Sequence, residues 1–228
     1  MEQQKFHIYG FSHVSALALT VIFILFVIYL GRRHKGGKSG IWISFVLSFI
    51  ILSGMLLKLG FNWYAGKFSL PMHLCDWAAF LVVYVFITGD RRFFEPAYFW
   101  GMGGTFQALF TPDVKLDFPD IKFFTFFLLH CGVVTGIFYL IFVKRLYPAP
   151  GAIKRVFIIS QFYVLSTVII NYFAGTNYGY LTKKPPGPSI LDFLGPWPFY
   201  IAGIELIGIV IYILLYMPFV ISGVNKTA

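Results

Sequence analysis

Seven runs of about twenty apolar residues, separated by short polar stretches, dominate this sequence. They cover approximately residues 10–30, 41–60, 70–88, 94–111, 121–143, 156–174 and 198–220. A helix of about 20 apolar residues crosses the ~30 Å hydrocarbon core of a bilayer. With 58% hydrophobic residues and a mean hydropathy of +0.78, the 228-residue chain is too apolar to fold as a soluble domain. The sequence therefore predicts an all-α polytopic membrane protein, a seven-transmembrane-helix bundle that forms a single domain over residues 1–228.

The basic residues lie in short clusters between the apolar runs. The chain has 18 Lys and Arg residues against 9 Asp and Glu residues, a formal net charge of +9. Eleven of the 18 fall on one side of the predicted bundle and 7 on the other. Because an excess of Lys and Arg marks the cytoplasmic side, we expect an outside N-terminus and a cytoplasmic C-terminus. We expect no nucleic-acid partner, since charges between apolar runs are typical of membrane topology signals.

Polar side chains recur at one predicted depth, in the outer half of the bilayer. The segment LPMHLCDW, residues 70–77, opens the third run with a histidine, a cysteine and an aspartate. An ionisable group in hydrocarbon costs about 2.5–3.5 kcal/mol even on a lenient insertion scale. We therefore expect the polar groups to converge on an interior cavity, whereas Lys58 is expected to snorkel to the interface. The predicted set is His13, His73, Cys75, Asp76, Gln107, His130, Asn171, Asn177, Tyr178 and Glu205.

One chemistry that this set could perform is acyl transfer through a cysteine. Cys75 is expected near the start of its helix, where unpaired N–H groups favour a thiolate, and His130 lies at a compatible depth to act as its base. Phospholipid ester carbonyls lie at about the same depth. Hydrogen bonds to the oxyanion are expected from Asn171, Asn177 and Tyr178.

Three other interpretations stay open at this point. Any of these polar residues could simply bond neighbouring helices within the bundle. The chain could be a small-solute transporter or a receptor-like binding protein, with proton-linked roles for His73, Asp76 and Glu205. It could also be a metal-dependent lipid hydrolase, for which the N and O ligands would come from His13, His73, Asp76 and His130. In a helix, the three-residue spacing places His73 and Asp76 on one face, so Asp76 could orient the imidazole.

Five segments of the chain carry a family resemblance: LPMHLC, AYFWGMGGTFQALFTPD, FFLLH, NYGYLTKKP and GPWPFYI. In this order they resemble the YwaF-like family of bacterial integral membrane proteins. That family is distantly similar to a eukaryotic endoplasmic-reticulum family that transfers polyunsaturated acyl chains between phospholipids and lyso-ether-lipids. The eukaryotic family is described as using an intramembrane cysteine and a histidine on a later helix. By helix order and separation, these fall on Cys75 and His130, which are 55 residues apart.

The resemblance implies a phospholipid acyltransferase in the bacterial cell membrane. Its partners would be membrane phospholipids, and no cofactor is expected. No role for His73 or Asp76 is implied by the resemblance. The acyl donor, the acceptor and the oligomeric state stay open.

Overall fold

The computed structural model describes residues 4–34, 38–185 and 190–224, and within them the chain is helical and has no β-strand. Glu2, Lys35 and Lys226, which enter the orientation prediction, lie outside the described residues, as does the side chain of Lys38. The helices are α1 Phe11–Arg33, α2 Lys38–Tyr64, α3 Leu74–Thr88, α4 Arg91–Trp100, α5 Phe106–Phe110, α6 Ile121–Phe142, α7 Ala152–Ala174 and α8 Phe199–Ile221. A π-helical segment, Gly101–Thr105, joins α4 to α5 without a break.

Every apolar run predicted from the sequence contains a helix, counting the joined α4–α5 helix as one. Five helices of the described chain (α1, α2, α6, α7 and α8) are long and apolar enough to cross a membrane. The helix α3 is apolar but has only 15 residues. Within the described residues, the structure therefore confirms an all-helical protein with several candidate membrane spans.

The start of α3 differs from the prediction. The sequence predicts a helix from residue 70, but α3 begins at Leu74. The Met72 carbonyl accepts a hydrogen bond from the Tyr163 hydroxyl at 3.2 Å, so a side chain satisfies this backbone group before the helix starts. His73 consequently precedes α3, and the expectation that it shares a helical face with Asp76 is wrong.

The described residues form two compact units. The first comprises the described parts of Met1–Pro71 and Cys75–Leu146, and the second comprises Met72–Leu74 and the described parts of Tyr147–Ala228. The single domain expected over residues 1–228 stays a prediction.

In the first unit, α6 is the central helix. Of its most apolar 18 residues, 67% are buried, compared with 17% in α1. Close approach to α2 depends on Gly54, where an added Cβ would lie 2.8 Å from the backbone nitrogen of Leu129. A Cβ at Gly101 of the π-helical segment would likewise collide with the Ile137 side chain. Small residues thus let neighbouring helices contact α6 closely, as membrane helices commonly do.

In the second unit, α7 and α8 are joined by hydroxyl contacts. The Ser160 and Tyr212 hydroxyls lie 3.2 Å apart, and the Tyr216 hydroxyl donates to the Ala149 carbonyl at 3.2 Å. Only 6% of the most apolar 18 residues of α8 are buried. An apolar helix this exposed is compatible with lipid contact along most of its surface.

Candidate functional site

A buried ion pair joins α2 to α3 in the first unit. The Lys58 ammonium group donates a hydrogen bond to the Asp76 carboxylate. Asp76 is fully buried, whereas the Lys58 side chain keeps 24% of its surface exposed. A buried carboxylate requires such a partner because the loss of water around a charge costs several kcal/mol. The expected snorkelling of Lys58 is therefore wrong: its charge contacts Asp76 within the unit.

Cys75 lies next to this pair in the first turn of α3. Its thiol is free and partly buried. The charged groups beside it are Asp76, the next residue of α3, and its partner Lys58. The structure thus places the predicted nucleophile beside two opposite charges, one of which sequence analysis did not assign to it.

His130 lies on α6 and is 95% buried. Its Nδ1 atom is 2.7 Å from the Phe126 carbonyl oxygen, and its ring stacks on Phe126 with centroids 3.9 Å apart. A carbonyl oxygen can only accept, so Nδ1 carries the hydrogen in this contact. In the neutral ring, Nε2 is then the basic nitrogen.

His130 and Lys58 line the same cavity of about 490 Å³. Residues from α2, the 113–116 loop and the first turns of α6 form its wall: Lys58, Phe61, Asn62, Asp113, Val114, Lys115, Leu116, Lys122, Thr125, Phe126 and His130. Cys75 is connected to the cavity through Asp76 and Lys58 rather than lining it. The cavity therefore brings the predicted base and the buried ion pair to one place within the first unit.

His13 has a helix-joining role in the first unit. Its Nδ1 accepts a hydrogen bond from the Tyr9 backbone at 2.9 Å, and its Nε2 donates to the Leu109 carbonyl at 2.7 Å. The fully buried ring also packs among the Phe6, Tyr9 and Phe127 rings. Because both ring nitrogens bond the backbone, this histidine holds α1 against α5. Gln107, also expected in the cavity, is exposed on α5.

In the second unit, two asparagines organise the segment after α7. Asn171 is buried; its Oδ1 accepts from the Tyr178 backbone N–H at 2.8 Å, and its Nδ2 donates to the Tyr178 carbonyl at 2.9 Å. In the same way, the Asn177 Oδ1 accepts from the Thr182 backbone N–H at 3.1 Å, and its Nδ2 donates to the Lys183 carbonyl at 2.8 Å. These amides stabilise the loop, and the oxyanion-binding role expected of them from the sequence stays a prediction.

Two further predicted residues belong to the second unit. The His73 ring meets the Tyr178 ring edge-on, with centroids 5.2 Å apart. Glu205 is half-buried on α8. The convergence of these residues with Cys75 and His130 on one cavity stays a prediction.

Cys131 differs from Cys75 in its surroundings. Its sulfur lies 2.8 Å from the Thr20 hydroxyl, which itself donates to the Ala16 carbonyl at 2.7 Å. This contact ties α6 to α1. As for metals, no three His, Cys, Asp or Glu side chains within the described ranges are grouped to hold an ion.

Sequence analysis missed four charged residues of the cavity wall: Lys58, Asp113, Lys115 and Lys122. Asp113 and Lys115 precede the apolar run 121–143 and Lys122 is its second residue, and charges at such a position ordinarily indicate only a loop or a helix end. The available signal was the presence of a lone Lys and a lone Asp in two successive apolar helices, because charges within membranes usually pair.

Comparison with known proteins places the chain in a family. No curated protein and no solved structure matches it. A family model, that of the TMEM164 family, matches residues 8–216. The bacterial YwaF-like resemblance stays a prediction, since the match carries a different family description. The matched region includes every candidate site residue, and the chain belongs to the TMEM164 family of transmembrane proteins.

Proposed function

We propose that this protein transfers acyl chains between membrane phospholipids, with Cys75 as nucleophile and His130 as general base. The observation that carries the proposal is the cavity that His130 shares with the Lys58–Asp76 pair, which adjoins Cys75. This arrangement supplies, within one compact unit, a nucleophile, a base whose Nε2 is the basic nitrogen, and room for a substrate.

The proposed reaction has two halves. The Cys75 sulfur attacks the carbonyl carbon of a phospholipid ester, and His130 Nε2 accepts the thiol proton. The ester C–O bond breaks, the proton passes to the departing lysophospholipid oxygen, and the acyl chain remains on sulfur as a thioester. The hydroxyl group of a second lysophospholipid then attacks the thioester and gives its proton to His130. The C–S bond breaks, and the proton returns to the Cys75 sulfur.

We also infer that the helices form seven spans in a cell membrane, with the N-terminus outside. The joined α4–α5 helix has 20 residues and is about 30 Å long, enough to cross the hydrocarbon core. The 15 residues of α3 cover only about 22 Å. Residues 70–73 precede α3 without helical structure and can span the remainder, because a non-helical chain advances about 3.3 Å per residue.

Intact-mass measurement tests the acyl-enzyme. The purified protein is incubated in phospholipid nanodiscs, and a hydroxylamine-labile acyl adduct is expected on the parent protein. The adduct is expected to disappear in Cys75→Ser and to persist in Cys131→Ser, the matched control. His130→Gln should slow its formation by about 10²- to 10⁴-fold, the usual contribution of a general base. An adduct that survives Cys75→Ser, or that requires Cys131, contradicts the proposal.

A second candidate function is transport or binding of a small anionic solute. The observation in its favour is the charged wall of the cavity, with three lysines and a buried ion pair. This function predicts solute flux into proteoliposomes that depends on Asp76 but not on Cys75. Acyl transfer predicts no solute flux and an acyl adduct that requires Cys75, and the two candidates are thereby distinguished.

A further inference from the structure

The cavity of the first unit carries an excess of positive charge. Three lysines and one aspartate, Asp113, line it. Lys58 is balanced by Asp76 in the ion pair described above. Asp113 balances one of the two other lysines, Lys115 and Lys122. The wall therefore keeps one positive charge in excess. This excess is suited to a ligand group with a single negative charge.

Burial divides the cavity into a charged mouth and a buried floor. Lys115 and Lys122 are exposed, whereas Thr125 and His130 are 97% and 95% buried. The Lys122 ammonium group lies over the Phe61 ring, 5.9 Å from its centroid. Lys122 belongs to the first turn of the 22-residue helix α6, where its backbone N–H donates to the capping Asp120 carboxylate at 2.8 Å and its ammonium group is left to the cavity mouth. An amphiphile would therefore place its anionic group at the lysines and its less polar part toward His130.

We propose that this cavity binds the phosphate group of a phospholipid headgroup, with Lys115 and Lys122 as its cationic contacts. The inference rests on the proposed function, because a phospholipid bound in this direction places its glycerol esters on the side of His130. A phosphodiester carries one negative charge, which matches the excess on the wall. The volume of about 490 Å³ suits a headgroup and glycerol, while the acyl chains stay in the bilayer.

Binding to a catalytically inactive protein tests this proposal separately from catalysis. Cys75→Ser protein in detergent is titrated with dihexanoyl phosphatidylglycerol, dihexanoylglycerol and inorganic phosphate, and bound ligand is counted by native mass spectrometry. We expect the phosphatidylglycerol to bind most tightly. Dihexanoylglycerol lacks the phosphate and reports recognition of the acyl chains alone, whereas inorganic phosphate reports recognition of the free anion. In this background, Lys115→Gln/Lys122→Gln should weaken phosphatidylglycerol binding roughly 30-fold, from about 5-fold per lysine near anionic lipid.

Matched variants separate the cavity from the overall charge. Lys67→Gln/Lys183→Gln removes the same charge from two exposed loop lysines and should leave binding unchanged. Lys115→Arg/Lys122→Arg should retain it, which distinguishes loss of charge from loss of structure. Equal binding of phosphatidylglycerol by the Gln double variant, or equally tight binding of dihexanoylglycerol, overturns the proposal. Inorganic phosphate that binds more tightly than the lipid also overturns it, because the source would then be free phosphate.

The outcomes distinguish the failure of one proposal from the failure of the other. A Cys75 thioester with no phosphate-dependent binding refutes the headgroup site and leaves acyl transfer intact. Phosphate-dependent lipid binding without any thioester supports the headgroup site and refutes acyl transfer.

Discussion

Replacing Lys58 by methionine tests the central contact of the candidate site. Methionine has a similar length and no charge, so the fully buried Asp76 carboxylate loses the ammonium group that contacts it. Removal of one partner from a buried ion pair typically destabilises a protein by about 3–5 kcal/mol, because the other charge is left without compensation. Since Lys58 is 24% exposed toward the cavity, some water already reaches the pair, and we expect the lower part of this range.

The assay is equilibrium unfolding of the purified protein in mixed micelles, titrated with SDS. Lys67→Met, in the exposed loop after α2, is the matched control and should change the free energy of unfolding by less than about 0.5 kcal/mol. The double variant Lys58→Met/Asp76→Asn should recover much of the loss, because the buried charge is then absent. A Lys58→Met protein as stable as the parent at pH 7 would refute the reasoning, and Asp76 would have to be stabilised by other groups.

Two further predictions concern the packing and the topology. Gly54→Ala should destabilise the protein by about 1–3 kcal/mol in the same unfolding assay, because its Cβ would meet the Leu129 backbone. Gly60→Ala on the same helix is the control: its Cβ meets no atom within 4 Å, so the change should be neutral or slightly stabilising. A green fluorescent protein fused to the C-terminus should fluoresce in intact cells, since we place that end in the cytoplasm. Alkaline phosphatase is active only after export, so a C-terminal fusion with phosphatase activity and no fluorescence of the first fusion would reverse the orientation.

The helix positions were predictable because hydropathy alone decides which residues leave water. The start of α3 was not, since the Tyr163 hydroxyl that bonds the Met72 carbonyl lies 91 residues away in sequence. The π-helical segment Gly101–Thr105 was likewise unpredictable. There Gly101 packs closely against the Ile137 side chain of α6, a contact between residues that are distant in sequence. Long-range contacts of this kind leave no local pattern in the sequence.

The candidate site was predictable in its residue types and only partly in their partners. The cost of burying charge indicated that Asp76 and His130 face the protein interior, and both are buried. A lysine near a helix end can avoid burial of its charge in two ways, by reaching the interface or by reaching a partner. For Lys58 the sequence analysis chose the interface, whereas the structure shows the partner. Which of the two it reaches depends on the position of α3 against α2, and helix packing determines that position.

The comparison of His13 with His130 explains why a general base is assigned to one histidine and not the other. Both are buried and both lie on helices of the first unit, so burial alone does not distinguish them. The two nitrogens of His13 bond backbone groups of Tyr9 and Leu109, and taking up a proton would break the Tyr9 contact, in which Nδ1 must accept. In His130, the proton on Nδ1 already faces the Phe126 carbonyl. A second proton on Nε2 leaves that hydrogen bond in place, so His130 can gain and lose a proton beside the cavity without disturbing the contact that orients its ring.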